Sequence, residues 1–455
     1  MGHITGKDVY RRLAGTIDST PARTPDSPAF RRLLEELYTP EEADLVTRMP
    51  FRPSKLERIV KLTRLEQGYI ERLLVGLCEK GLVMDLWDGD DVTYMISPLV
   101  VGIFEFTMMR TGGNLNKASK VTGEKQRVWA RLLNDYMFGE RSFFDANFAH
   151  GEKVSIMRAL PHTEAVARGE RTEILDFERA HDIVDRHKSF SVGLCSCRHE
   201  HLHLDKELCS APLETCTSFG GGAEFLIRNG FARRIDKCEM VDILERSRDL
   251  GLVLSADNVR EDVGFICHCC GCCCHLLQGI KHTGHQNILV TSNYIASCGE
   301  TCTGCGLCAK ACPVGAISAM PMNKTERDAY ALAHPDRPSQ RATIHIDQSL
   351  CIGCGVCALR CPMSHRDASG TKIKAMTLIS RPARVYHPED SFERVIMQSL
   401  ERNTFQHLIF DNPNSRTEAF MRTLVGGFLR LPPVKRALMS DRLRSRFLHA
   451  LRNAG

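Results

Sequence analysis

Two twelve-residue segments constrain this chain more than any other feature: CTGCGLCAKACP at 302–313 and CIGCGVCALRCP at 351–362. Both follow the spacing C-x-x-C-x-x-C-x-x-x-C-P. An ordinary core has no use for such a repeat, because a reduced cysteine there packs like any small apolar residue. Thiolates at this density are read as metal ligands. A cubane iron–sulfur cluster needs four of them at the corners of a tetrahedron, and a short loop can wrap only three around one cube. The fourth must come from elsewhere in the chain. Gly304, Gly306, Gly353 and Gly355 let the backbone come close and aim amides at sulfur.

The segment 291–375 resembles a bacterial-type ferredoxin domain with two [4Fe-4S] clusters, and PVGAI after Cys312 and IHIDQSLC before the second motif fit that family. The resemblance implies a crossover of the fourth ligand. One cluster would take Cys302, Cys305, Cys308 and Cys361, and the other Cys351, Cys354, Cys357 and Cys312. Two departures leave every ligand in place. A 38-residue spacer between Cys312 and Cys351 implies a polar surface insertion near NKTERDAYALAHPDRPSQ, and MSHRD follows the second motif where an apolar continuation is usual. Zinc held by C-x-x-C pairs would leave the third cysteine, the spacing and the prolines without a purpose.

The chain has 455 residues, enough for several domains, and its 43% hydrophobic and 25% charged content is that of a globular protein. Neither a secretion signal nor an apolar span is visible, so a cytoplasmic location with reduced thiols is expected. The cysteine count of 21 is odd and excludes complete disulfide pairing. A net charge of +5 over this length does not by itself suggest nucleic-acid binding.

The expected fold class is multidomain α+β. Residues 1–35 read as a leading helix and a linker punctuated by Pro21, Pro25 and Pro28. Over 36–112, three amphipathic helices and the hairpin VMDLW-DGDD-VTYMI predict a winged helix. Its third helix carries Glu66, Glu71 and Glu79 against Arg72 and Lys80, and its wing tip holds Asp88, Asp90 and Asp91, a pattern that repels phosphate. Lys55, Arg58 and Lys61 on the second helix read as a solvated face. A packing or partner-docking role is expected instead of DNA binding.

Residues 113–185 form a helical connector with one clear helix near Glu124 to Tyr136. Residues 186–290 predict a small cysteine-rich α/β domain, in which SFSVGLC, LVLSAD and VGFIC are strands; TEILDF, just before it, is a further expected strand. FGGGAEFLIRNG and DKCEMVDILERSRDLG are helices, the second opened by a capping box of Asp236 and Glu239 and ended by Gly251. The triple glycine at 220–222 lacks the strand and acidic partner of a dinucleotide site and reads as the start of a helix.

Eleven of the thirteen cysteines outside the two motifs fall between 195 and 274, and six of them crowd into ICHCCGCCC at 266–274. SVGLCSCR and VGFICHCC each deliver cysteines at the end of a β-like run. Residues two apart on a strand face the same side, which pairs Cys195 with Cys197 and Cys267 with Cys269. If these strands are neighbours, four thiolates converge. Cys209 and Cys216 in the intervening loop are further candidates, and Cys270 with Cys274 would make an i, i+4 pair in a helical run. At least one additional [4Fe-4S] cluster is expected here, with structural zinc and plain reduced thiols as the alternatives. Arg198 can hydrogen-bond a cluster sulfide or an anion, or lie at the surface. HEHLH aligns His199, His201 and His203 if extended, and otherwise reads as a solvated loop.

The combination of winged helix, CSCR, ICHCCGCCC and paired motifs resembles a family of iron–sulfur proteins of anaerobic bacteria over most of 36–375, a likeness that supplies no reaction. The cysteine-rich CCG module of heterodisulfide reductases is not matched, since its closing C-x-x-C would have to be Cys302 and Cys305. The region 376–455 reads as basic amphipathic helices, with Ser415 and Glu418 as a capping box and Leu443, Phe447 and Leu451 at helical spacing. Its basic excess suits an acidic redox partner first, and peripheral contact with an anionic membrane second. The expected function is an electron-transfer protein or subunit. The alternatives are an oxidoreductase that reduces substrate at the central cysteines and a redox-responsive winged-helix regulator.

Overall fold

The computed structural model describes residues 6–110, 123–206, 209–335, 340–366, 372–440 and 448. Helices Gly6–Asp18 and Pro28–Leu37 flank the proline-punctuated stretch, and Ser27 caps the second by accepting from the Phe30 N–H at 3.1 Å. Helices Pro40–Arg48, Leu56–Thr63 and Gln67–Glu79 follow, then an antiparallel hairpin of β1 (Val83–Asp88) and β2 (Asp91–Ile96). Two of the three basic residues at the second of these helices, Lys55 and Arg58, have partners within the chain. Lys55 pairs with Asp91 at 2.8 Å, and Arg58 donates to both carboxylate oxygens of Asp411 at 2.8 and 2.7 Å.

The central sheet has six strands: β3 (Met157–Leu160), β4 (Phe190–Leu194), β5 (Glu214–Phe219), β6 (Ala232–Ile235), β7 (Val253–Asp257) and β8 (Phe265–Cys269). Their order is β3-β7-β8-β5-β4-β6, and every neighbouring pair is antiparallel. Two local expectations are corrected. TEILDF is not a strand but runs through two tight turns, Arg168–Glu173 and Asp176–Glu178, and just after it the buried Glu178 carboxylate accepts from the Asn293 side chain at 3.0 Å. ETCTSF, expected as a loop, is β5 and separates β4 from β8. The β3 strand comes from the stretch expected as a helical connector.

Because β4 and β8 are both antiparallel to β5, they run in the same direction and end at the same edge of the sheet. That edge is where the chain turns through its cysteines. One sheet face is covered by the helix Lys237–Leu250, whose Met240, Ile243 and Leu244 pack with Val192, Leu254 and Ile266. Asp236 caps this helix through the Glu239 N–H at 2.8 Å. The return half of the expected box is absent, because the Glu239 carboxylate turns to Arg233. Gly251 ends it with φ of 69°, where a side chain would be strained.

Beyond the sheet, β9 (Tyr294–Cys298) pairs antiparallel with Met376–Ser380, so the two ends of the motif-bearing segment lie side by side. The strands Ile317–Pro321 and Ala342–Ile346 form a second antiparallel pair, and the polar insertion between them carries the helix Lys324–Ala333. Helices Ser391–Glu401, Phe405–Ile409, Arg416–Leu429 and Pro432–Leu438 follow. Ser415 caps the third of these through the Glu418 N–H at 3.2 Å, and Glu418 in turn accepts from Asn412. The expected apolar stripe of Leu443, Phe447 and Leu451 lies outside the described residues. Among the described residues no helix is long and apolar enough to cross a membrane.

Asp411 ties the carboxyl-terminal region to the amino-terminal helices. Besides Arg58, it accepts from Arg52 Nε at 3.0 Å, and its carbonyl accepts from the Phe51 N–H. Burial alone would raise its pKa, but the hydrogen bonds from Arg58 and Arg52 outweigh burial and hold the carboxyl below its ordinary range. A depressed folded pKa contributes stability that is present above the ordinary aspartate value and is lost as pH falls through the folded one. Asp411→Ala is therefore expected to cost about 2 kcal/mol near neutrality. Urea unfolding followed by circular dichroism should show this gap closing on acidification, and a pH-independent gap would refute the assignment.

Candidate metal centres

Both motif loops turn through glycines that nothing else can replace. Gly353 has φ of 70°, and a Cβ there would lie 2.2 Å from Ser292 Oγ and from the Tyr294 carbonyl oxygen. At Gly304, φ is 65° and a Cβ would lie 2.1 Å from the Ala342 carbonyl oxygen. The loops so formed bring the sulfurs into two groups. Cys308 is raised in pKa by burial and by the nearby Cys302, Cys305 and Cys361. Cys354 and Cys357 are raised by burial and by Cys351 and Cys312. Each group therefore contains the final cysteine of the other motif.

The second group lines a closed apolar cavity together with Val314, Ile352 and Leu378. Four converging thiols in an apolar wall, with backbone amides aimed at sulfur, fit a cubane cluster. The Ala316 N–H donates to Cys312 Sγ at 3.2 Å, and in the first group the Gly304 N–H donates to Cys302 Sγ at 3.3 Å. Such bonds stabilise the ionised thiolate. Cys298, which no spacing marks, ends β9 beside this first group. Burial and a hydrogen bond with Cys302 push it up to about 12.

At the sheet edge the central cysteines divide into two sets. The first faces a cavity lined by Cys195, Cys197, Cys216, Cys267, Cys269 and Cys274, with Cys270 also reaching its wall, and closed by Phe104, Glu105 and His275. Its thiols form a connected chain. Cys195 contacts Cys197, Cys197 contacts Cys274, Cys274 contacts Cys269, and Cys267 bridges Cys269 and Cys216. Cys195 and Cys274 each stand at the N-cap of a helix, Ser196–His203 and His275–Thr283, where the dipole favours a thiolate. The Cys274 thiol is lowered by Cys197 and Cys269 and by the Leu277 and Leu276 amides. Burial raises Glu105 to about 7 in spite of the Gly102 N–H donating to its carboxylate at 3.0 Å. His275 is hydrogen-bonded to Glu200 and stacked on Phe104, with ring centroids 4.4 Å apart.

The second set is Cys209, Cys270, Cys272 and Cys273. The Cys274 N–H bonds to the Cys270 carbonyl at 3.2 Å, the helical turn that an i, i+4 pair requires, and both residues line the cavity; the Cys270 sulfur also meets Cys273, whereas that of Cys274 meets Cys197 and Cys269. Cys195 and Cys197 meet across a helix start, not along an extended strand. The convergence of β4 with β8 runs through Cys216 of β5, which lies between them. Within the two sets, Cys272 and Cys273 are the cysteines that the sequence does not mark as ligands, because period-two strand logic stops where the strand ends.

Arg198 lies between the two sets and is only 1% exposed. Its guanidinium donates to Thr215 Oγ1 at 2.7 Å, to the Pro212 carbonyl at 3.2 Å and to the His268 carbonyl at 2.6 Å. Burial alone would lower its pKa, but the charges of Cys195, Cys270, Cys209 and Cys269 raise it above the ordinary value. It is thus a fixed cation facing sulfurs of both sets. HEHLH is helical, which corrects the single-face alignment. His199 and His203 meet at 3.0 Å one turn apart, and His201 lies off that pair.

Arg198→Met is expected to strip the buried thiolates of their cation and cost about 3 kcal/mol. Iron analysis of anaerobically purified full-length protein should show less metal in Arg198→Met than in Arg198→Lys, which keeps the charge. Equal metal in both variants and the wild type would refute this role.

Residues 301–364 match the family model described as the 4Fe-4S dicluster domain. No curated protein and no solved structure matches the chain. This chain therefore carries a ferredoxin-type iron–sulfur domain, set against a second, cysteine-rich region that is compatible with further metal.

Proposed function

We propose that this protein relays single electrons through two [4Fe-4S] clusters in the ferredoxin-type domain and a further cluster in the central cysteine cavity. Cys302, Cys305, Cys308 and Cys361 would hold the first, Cys351, Cys354, Cys357 and Cys312 the second, and Cys195, Cys197, Cys269 and Cys274, with Cys267 and Cys216 beside them, the third. When bound, the clusters supply one-electron redox steps at potentials set by burial and hydrogen bonding.

The observation that carries this reading is the direct packing of the two cysteine regions. Gly271, within CCGCCC, lies so close to Pro313, next to Cys312, that a Cβ on Gly271 would sit 2.9 Å from both Pro313 Cα and O. Nearby, Arg360, beside Cys361, donates to the Leu250 carbonyl at 2.5 Å. Centres on either side of this contact are neighbours, and neighbouring centres are what electron relay requires. The protein residues exclude water from the sites, fix the sulfurs and supply the compensating cation of Arg198.

The acidic third helix of the amino-terminal module, taken as a winged helix, and the engagement of Lys55 and Arg58 within the chain support a packing role for that module. The basic carboxyl-terminal helices are the proposed docking face for an acidic redox partner. A second reading, reduction of a substrate at the central cavity, is favoured by one observation: Glu105, an acid raised to about 7, faces the cysteines as a proton source.

Full-length protein isolated without oxygen is expected to be brown, to contain acid-labile sulfide, and to give paramagnetic resonance signals after dithionite reduction. Arg360→Ala, which removes the bond to the Leu250 carbonyl, should leave iron and sulfide unchanged but slow the spread of limiting reductant between the centres several-fold, read by freeze-quench spectra. Colourless, sulfide-free protein would overturn the relay. Turnover of a substrate by the isolated protein with a chemical reductant, lost in Glu105→Gln, would replace the relay by the second reading.

A further inference from the structure

The sulfurs of Cys209, Cys270, Cys272 and Cys273 all lie within 4.8 Å of one another, and those of Cys272 and Cys273 are 3.6 Å apart. Metal–sulfur bonds of about 2.3 Å in a tetrahedron place thiolates roughly 3.8 Å apart. A cubane attaches each thiolate to a different iron and spreads them much further. The quartet therefore has the dimensions of a single-ion site. A disulfide does not account for it either, because an S–S bond is about 2.05 Å long.

The surroundings are those of a built site. Cys273 is fully buried and Cys270 nearly so, while Cys272 is exposed and opens on a cleft shared with Leu250, Lys310 and Pro313. The turn that carries three of the four sulfurs is fixed through the Gly271 carbonyl, which accepts from Gln278 Nε2 at 2.5 Å and Lys281 Nζ at 2.8 Å. Arg198 lies close enough to Cys270 and Cys209 for their charges to act on it. Apart from Cys270, which also reaches the wall of the closed cavity, the quartet shares no sulfur with the set around Cys197 and Cys274.

We propose that Cys209, Cys270, Cys272 and Cys273 bind one thiophilic divalent ion, zinc or ferrous iron, as a mononuclear tetrathiolate centre separate from the iron–sulfur clusters. Such an ion joins the loop before β5 to the turn after β8 and holds Gly271 against Pro313. Zinc there is a redox-silent clamp; iron adds a one-electron site at the seam between the two cysteine regions.

The test compares full-length wild type with the Cys272→Ser, Cys273→Ser double variant, both isolated without oxygen. The expected result is loss of one zinc or iron ion per chain with acid-labile sulfide and cluster absorption unchanged. The identity of the lost metal separates clamp from electron site. Unchanged metal overturns the proposal, and so does a matched loss of iron and sulfide, which would make the quartet cluster ligands. If the double variant fails to fold, wild type grown with cobalt(II) gives a second measurement. Visible bands of tetrahedral tetrathiolate cobalt are expected, and their absence together with no sulfide-independent zinc or iron overturns the proposal. Neither outcome depends on electron relay, so the relay can fail while this site stands.

Discussion

A thiolate buried in an apolar interior needs a cation beside it, and this chain buries thiols in number. Cys269, Cys270, Cys273, Cys274, Cys308, Cys351, Cys354 and Cys357 are all buried. Without a cation most of these would be forced to stay protonated, since burial raises thiol pKa values. In the ferredoxin-type domain cluster iron supplies that charge, and at the central cysteines Arg198 supplies a fixed part of it from the protein. Where metal binds such thiolates, binding and folding are one equilibrium.

That constraint explains the backbone around the sites. The motif loops use glycine where side chains would strike Ser292, Tyr294 or Ala342. Helices begin at Cys195 and Cys274, so their amides and dipoles face sulfur. An antiparallel sheet with β5 between β4 and β8 lets two strands release their cysteines at one edge. The opposite face is given to an ordinary apolar core with the helix Lys237–Leu250, where His268 bonds to Ser247 at 2.7 Å and burial lowers its pKa to about 3.

Contacts between the regions are equally local. Gly271 against Pro313, Arg360 at the Leu250 carbonyl, and the His162 N–H donating to the Cys354 carbonyl at 3.1 Å fasten the motif loops to the central sheet edge. The carboxyl-terminal segment returns to the amino-terminal helices through Asp411, and Asn414 donates to the Arg48 and Leu62 carbonyls near the ends of two of them.

The sequence by itself determined the ferredoxin-type domain, because cysteine and glycine spacing within one short loop is a local property that a cluster reads directly. It also determined the helices Lys237–Leu250 and Gly220–Arg228, where caps and apolar period are local too. Only the tertiary structure decided how the remaining cysteines are partitioned. Cys270, four residues before Cys274, reaches both sets, and Cys209 joins Cys273 across the sheet edge from another loop. It decided as well that TEILDF turns while ETCTSF pairs, because strand pairing is a contact between distant segments. Sulfur positions at a strand end follow from which neighbour lies alongside, and that neighbour is chosen by the whole fold.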